Sequence, residues 1–181
     1  MGKFYFVRHG QTVWNVENKI CGATDSPLTE KGHEQARETA MELKRKIDAG
    51  EIHIDEIISS PLSRAYDTAE EISKITGIPM RAEQRLIEQN FGRYESTPRD
   101  GLEFHEAKKH MASRFGTGES MMQLGQRIYN LMDEIRQDEK TYLLVAHNGI
   151  ARVVQSYFYD MTNEEYAKFG VKNCAVLEYK W

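Results

Sequence analysis

Two arginines and two histidines in this chain are of the types that handle a tetrahedral anion, and they occupy equivalent places in its pattern. Arg8 and His9 follow an aromatic, β-rich run from Lys3 to Val7. Arg64 opens the helical stretch after a second such run, and His147 follows a third, Thr141 to Ala146. A guanidinium binds phosphate through a planar bidentate fork, and two of them cover several oxygens at once. A neutral imidazole nitrogen is a capable nucleophile towards phosphorus. A second imidazole, if protonated, would add a positive donor to the equatorial oxygens. The chemistry that suits this set is phosphoryl transfer, with no divalent metal required. The sequence carries no Walker loop, no H-E-x-x-H and no Asp/Glu cluster of metal-ligand type.

Taken singly, each of these residues has an ordinary explanation. A loop histidine is commonly exposed, and an arginine near a helix start is commonly solvated and even slightly disfavoured there. Their shared position argues otherwise, because open α/β sheets bind ligands in the crevice beyond the strand carboxyl ends. If the three strands are neighbours, all four side chains converge. Gly10 and Gly149 would let backbone N–H groups come close to a bound anion. A helix beginning near Gly149 would add the positive end of its dipole.

The elements that must position these groups alternate between strand and helix. Lys3 to Val7 reads as a buried strand, followed by a polar loop to about Leu28. Thr29 is a plausible N-cap for a helix carrying Ala36, Ala40, Leu43 and Ile47 and ending near Gly50. Ile54 to Ser59 reads as a strand, then Pro61 to Ile75 as a helix stopped by Gly77-Ile78-Pro79. Met80 to Leu86 is a candidate short strand. Residues 89–118 read as irregular, with a modest helix from Leu102 to Ala112. Ser120 caps a long helix to about Gln137, Thr141 to Ala146 is a strong buried strand, and Gly149 to Tyr159 is a helix. Asn163 to Phe169 is a further candidate helix, and Ala175 to Tyr179 closes as a strand. This alternation predicts a three-layer α/β/α sandwich around a mostly parallel sheet. Residues 1–181 form one domain on this reading, with about 90–118 as the candidate insertion or cap.

Composition narrows the setting. A net charge of −4 gives no broad attraction to nucleic acid or to an anionic membrane. The apolar run Phe4 to Val7 is cut off by Arg8, short of the roughly 7–15 residues of a secretory core. No stretch approaches the roughly 18 apolar residues of a membrane span. Cys21 and Cys174 form neither a metal motif nor a disulfide framework, so both are expected as free thiols in a reducing, cytoplasmic setting.

With these residues in hand, the chain resembles the histidine phosphatase superfamily, the phosphoglycerate mutase-like fold. Arg8-His9-Gly10-Gln11-Thr12-Val13-Trp14-Asn15 is similar to its R-H-G-[QE]-[ST]-x-x-N signature. Gly22, Asp25, Pro27-Leu28-Thr29 and Gly32 follow its G-x-x-D-x-P-L-T-x-x-G loop. Ser59-Ser60-Pro61-Leu62-Ser63-Arg64-Ala65 with Thr68-Ala69 follows S-S-x-L-x-R-A-x-x-T-A. Leu86-Ile87-Glu88 with Phe91-Gly92, Gly118-Glu119-Ser120 and Val145-Ala146-His147-Asn148-Gly149 complete six motifs in order along nearly the whole chain. The resemblance implies that His9 is the nucleophile that becomes phosphohistidine. It implies a phosphate pocket of Arg8, Asn15, Arg64 and His147, joined by Asn148 and Gly149. It makes Glu88 the acid that protonates the leaving alkoxide and then the base acting on water, with no cofactor. Two departures stand out: Ser96 follows Tyr94-Glu95 where the family often has Gly, and Asn148 follows His147 where many members have Gly or Ala.

A carboxyl enclosed beside a phosphate dianion is expected to have a raised pKa, so Glu88 implies an acidic-to-neutral optimum. Its ordinary alternative is a solvated carboxylate, or an ion pair with Arg85 or Arg93. Only 58 residues separate Glu88 from His147, fewer than in the longer glycolytic mutases, which favours an open pocket with water as acceptor. The expected activity is therefore hydrolysis of a small phosphorylated metabolite by a monomer or homodimer. A phosphomutase and a non-catalytic phospho-ligand binder are the alternatives. Substrate identity is expected to lie in residues 90–118, which mix Phe91, Tyr94, Phe104 and Phe115 with Arg93, Arg99, Lys108, Lys109 and Arg114. The aromatics would face an apolar alcohol, and the bases a sugar acid or second phosphate; core packing and solvated surface explain both equally well. His105 and His110 lack helical metal-pair spacing, and His33 and His53 read as surface.

Overall fold

A computed structural model describes residues 2–181. In chain order its elements are β1 (Lys3–Arg8), α1 (Val13–Val16), α2 (Glu30–Asp48), β2 (Glu56–Ser59), α3 (Ser63–Thr76), β3 (Met80–Ala82) and α4 (Leu102–Ala107). There follow α5 (Met121–Arg136), β4 (Tyr142–Ala146), α6 (Asn148–Phe158), α7 (Asn163–Lys168) and β5 (Val176–Lys180). The sheet order is β3-β2-β4-β1-β5, parallel throughout except for the edge strand β5.

The alternation of side chains in β1 builds two cores. Phe4 and Phe6 point to one face and join Leu144 and Ala146 of β4 with Leu124, Ile128 and Leu131 of α5 and Val154 of α6. Tyr5 and Val7 point to the other and join Leu143 and Val145 with Ala40 and Leu43 of α2 and Ala65, Ala69 and Ile72 of α3. A strand buried on both faces carries a continuous apolar run, which is why Phe4 to Val7 and Tyr142 to Ala146 read so plainly. The result is a three-layer α/β/α sandwich.

Caps set the helix boundaries. Thr29 Oγ1 accepts the Gly32 N–H at 3.0 Å and starts α2. Ser120 and Gln123 form a reciprocal capping box at α5, and Gly77 closes α3 in a left-handed conformation. Thr12 and Asn15 form a further box around α1, a short helix inside the stretch that sequence reasoning treats as loop.

Four elements are shorter than their patterns suggest. Asp55 exchanges hydrogen bonds with Thr141 through its N–H and its carboxylate, each at 2.8 Å, so β2 and β4 begin just after this pair. The Glu83 carboxylate accepts the Arg85 N–H and turns the chain into a 3-10 turn over Gln84–Leu86, which ends β3 at Ala82. Helix α4 stops at Ala107, because Lys108-Lys109-His110 supplies nothing apolar to bury. Around it, Tyr94, Phe104 and Phe115 form a small aromatic core with Ile20, and Phe91 packs against it. Phe91 meets Phe104 edge-on with ring centroids 5.3 Å apart.

Candidate active site

Strands β2, β4 and β1 are neighbours, so their carboxyl ends bring Ser60, Arg64, His147, Arg8 and His9 to one edge of the sheet. The His9 and His147 rings lie 5.2 Å apart, and both side chains are buried.

His9 is held by its own backbone neighbourhood. Its Nδ1 lies 2.7 Å from the Gly10 carbonyl oxygen, which accepts a hydrogen and so fixes the proton on Nδ1. Burial, with Arg64 and Arg8 nearby, pushes the ring well below the usual histidine pKa. The ring is therefore neutral, and its one free lone pair is on Nε2. Asn173, which sequence reasoning missed, donates from Nδ2 to the His9 carbonyl at 2.8 Å and pins the backbone.

His147 is held just as firmly, but not as a cation. Arg64 Nε donates to its Nδ1 at 3.2 Å, which leaves the proton on Nε2, 2.8 Å from Ser60 Oγ. Burial and the Arg64 charge drive its pKa well below the ordinary value. The sequence left the charge of this second imidazole open; here it is neutral, because a buried imidazolium facing a guanidinium is unfavourable on both counts.

Arg64 is 1% exposed and makes four hydrogen bonds: to His147, to the Thr24 carbonyl at 3.0 Å, to Asp25 Oδ1 at 3.2 Å and to the Gly22 carbonyl at 2.7 Å. Only one Nη2 hydrogen is left for a ligand. The loop from Gly22 to Asp25 that orients Arg64 is itself hung on Glu95. That carboxylate accepts N–H groups from Gly22, Ala23, Thr24 and Phe91 at 2.9–3.3 Å. Glu95 is therefore a positioning residue for Arg64. Its partners in that loop lie more than seventy positions away, so the family pattern that Tyr94-Glu95 follows marks the position but not this role.

Arg8 faces a cavity of about 760 Å³, lined also by His9, Asn15, Glu88, Asn148 and Gly149. Arg8 Nη1 donates to the Val171 carbonyl at 2.6 Å, its buried Nε has no partner, and it pairs with no carboxylate among the described residues. Burial and the neighbouring Arg99 lower its pKa to about 10. The Val171 peptide also donates to Asn148 Oδ1 at 2.8 Å, so Val171 ties Arg8 to Asn148. Asn15 Oδ1 is committed to the Thr12 N–H, so what Asn15 offers an anion is its Nδ2.

Glu88 is 6% exposed. One carboxyl oxygen accepts the Gln89 N–H at 2.9 Å and the other the Gly149 N–H at 2.8 Å. It makes no ion pair with Arg85 or Arg93, which hold Glu83, Glu134 and Glu103 instead. Gly149 and Gly10 serve differently from expectation. The Gly149 N–H faces Glu88, and the Gly10 N–H donates to Thr68 Oγ1 at 3.1 Å. A Cβ on Gly10 would lie 2.4 Å from the Gly32 carbonyl oxygen, so this glycine exists for close packing against α2.

Chemically, the site joins a neutral nucleophilic nitrogen, a guanidinium with open donors and a fixed carboxyl around one cavity. Residues 4–181 match the histidine phosphatase superfamily, branch 1. The chain is 34% identical over 186 residues to a protein named Probable phosphoglycerate mutase GpmB from Yersinia pestis (strain Pestoides F), spanning 97% of this chain and 83% of that one. The mycobacterial glucosyl-3-phosphoglycerate phosphatase superposes with a TM-score of 0.84 at 26% identity, over 98% of this chain and 90% of the other. TTHB049 from Thermus thermophilus superposes with a TM-score of 0.76 at 25% identity, over 99% and 94%. These likenesses agree with a site built on an Arg-His-Gly turn at the end of a central strand, and the chain belongs to the histidine phosphatase superfamily.

Proposed function

We propose that the protein hydrolyses phosphomonoesters of small metabolites through a phosphohistidine on His9, without a metal ion. The observation that carries this reading is the Nδ1 to Gly10 carbonyl bond, which leaves Nε2 of a neutral, buried ring as the nucleophile. In the first step the Nε2 lone pair attacks phosphorus while the P–O bond to the alcohol breaks. Glu88 acts as general acid and gives a proton to the departing oxygen. The phosphorylated ring is cationic, and the Gly10 carbonyl that accepts its Nδ1–H stabilises that charge. Arg8, Asn15 and the remaining Arg64 hydrogen hold the phosphoryl oxygens. In the second step water attacks phosphorus, Glu88 takes its proton, and Nε2 leaves as neutral imidazole.

His147 acts on this reading as a spacer of fixed tautomer, joining Ser60 to Arg64 and setting the angle of the guanidinium. Asn148 orients Arg8 through Val171, and Gly149 fixes the Glu88 carboxyl. Residues 90–118 act as the cap that selects the alcohol. Cys21 and Cys174 are free thiols, which suits a cytoplasmic setting.

A second reading, phosphomutase, is favoured by the likeness to GpmB. A mutase returns the phosphoryl group to another hydroxyl and releases little inorganic phosphate. The deciding experiment measures inorganic phosphate from a panel of phosphomonoesters in excess chelator, with His9→Ala as control. Release that chelator leaves intact and His9→Ala abolishes supports the hydrolase. Isomer interconversion without release supports the mutase, and loss in chelator refutes the metal-free route.

A further inference from the structure

The cavity carries more positive charge than one phosphoryl group needs. Elsewhere, Arg45, Arg81, Arg85 and Arg127 each hold a carboxylate. Arg8, Arg99, Lys108 and Arg152 all line the cavity, and none of them forms an ion pair among the described residues. Arg99 Nη2 donates to the Lys19 carbonyl at 3.0 Å, and Arg152 Nε to the Phe169 carbonyl at 2.7 Å. Lys108 Nζ sits over the Phe104 ring, 5.3 Å from its centroid. The other charged residues of the wall are neutralised or serve chemistry. Lys109 pairs with Glu106, Glu164 with Lys168, and Glu88 is the fixed carboxyl.

Four half-buried cations therefore face one carboxyl. A phosphoryl dianion compensates two of them, and the carboxyl, when it carries its proton, compensates none. Crowding is visible in the groups themselves. Burial first, with Arg152 and Arg99 after it, lowers Lys108 to about 8. An uncompensated cluster in a partly desolvated wall is costly, and an anion that enters it recovers that cost. The cations also come from separate elements: Arg99 from the loop after Pro98, Lys108 from the end of α4, Arg152 from α6 and Arg8 from β1. A ligand reaching all of them extends beyond the phosphoryl group, and 760 Å³ accommodates a sugar-sized molecule.

Resting on the hydrolase reading, we infer that the substrate is a phosphomonoester whose alcohol half bears a second anionic group, a carboxylate or another phosphate, held by Arg99, Lys108 and Arg152. The shared chemistry is a molecule with negative charge at both ends.

Two matched pairs test this: phosphoglycolate against 2-hydroxyethyl phosphate, and fructose 1,6-bisphosphate against fructose 6-phosphate. The wild-type kcat/KM for the doubly acidic member of at least one pair exceeds that of its partner tenfold or more, which is about 1.4 kcal/mol. Which pair shows it distinguishes carboxylate from phosphate. Lys108→Met, Arg99→Met and Arg152→Met each shrink that preference several-fold; Lys108 is the safest variant, since its Nζ holds no structural hydrogen bond among the described residues. Calorimetric binding of the same four compounds to His9→Ala reads the subsite without turnover. Equal kcat/KM within both pairs, or a preference that survives all three variants, overturns the second-anion subsite and leaves the hydrolase standing. Absent turnover with preferential binding of the acidic members to His9→Ala overturns the hydrolase and leaves the subsite standing.

Discussion

A single methyl group added at Gly149 tests the Glu88 assignment without touching Glu88. A Cβ there would lie 2.4 Å from one Glu88 carboxyl oxygen, 3.0 Å from the carboxyl carbon and 3.1 Å from the other oxygen. Ordinary contact begins near 3.4 Å, so the carboxyl must retreat. A retreat of about 1 Å from a reacting atom costs on the order of 100-fold in rate, equivalent to about 2.7 kcal/mol of barrier. Glu88 is the far end of a flexible side chain, so the fold survives while the acid is misplaced. The second half-reaction also uses Glu88, so the informative quantity is the pre-steady-state burst of alcohol. With an alkyl phosphate, whose oxygen cannot leave without a proton, Gly149→Ala lowers the burst rate by about 100-fold. With p-nitrophenyl phosphate, whose phenolate leaves unaided, the burst rate falls by no more than a few-fold. Equal losses on both substrates, with an unchanged melting temperature, would refute the role of Glu88 as proton donor.

Other expectations follow from the same geometry. Ser96 sits at φ +66°, a region that costs an L-residue about 1–2 kcal/mol; Ser96→Gly raises stability by about 0.5–1 kcal/mol in urea unfolding, and a loss would show that the side chain contributes more than its strain. Glu95→Gln replaces one acceptor oxygen with an amide facing N–H donors, so stability drops by about 1–3 kcal/mol. It also lowers kcat, because the loop that orients Arg64 loosens; full activity in a destabilised protein would separate the two. His9 and His147 stay neutral when folded, whereas each takes a proton near pH 6.5 when unfolded. The unfolded state then binds more protons below that pH, so stability falls as pH falls, by up to about 1.4 kcal/mol per histidine per unit. His9→Gln removes one such group, so the wild-type advantage over it shrinks by about 1 kcal/mol between pH 6 and pH 5; parallel urea curves would contradict a neutral His9.

The layers of the fold were legible wherever local pattern and tertiary burial coincide. Phe4 to Val7 is apolar on both faces because helices cover both, and Thr29 and Ser120 cap helices through neighbours three residues away. The grouping of Arg8, His9, Arg64 and His147 was legible too, since it requires only that β1, β4 and β2 be neighbours. What escaped depends on long-range contact. Nothing near Glu95 says that its carboxylate will gather four N–H groups from two loops. Nothing near Gly149 says that its missing side chain makes room for Glu88, sixty-one positions earlier. The protonation state of His147 was not legible in the sequence, because it depends on Arg64, a donor that demands a lone pair and lies eighty-three positions away. Residues 89–118 read as irregular because their small core is aromatic contact between separated turns, with no periodicity to reveal it.

The most direct test asks which ring nitrogen carries phosphorus during turnover. The account predicts that alkaline quenching of working enzyme, followed by peptide mapping and phosphorus NMR, finds one acid-labile phosphoryl group per chain on Nε2 of His9, because Gly10 holds the proton on Nδ1. Phosphorus on Nδ1, on another residue, or on no residue at all while substrate is being consumed would contradict it.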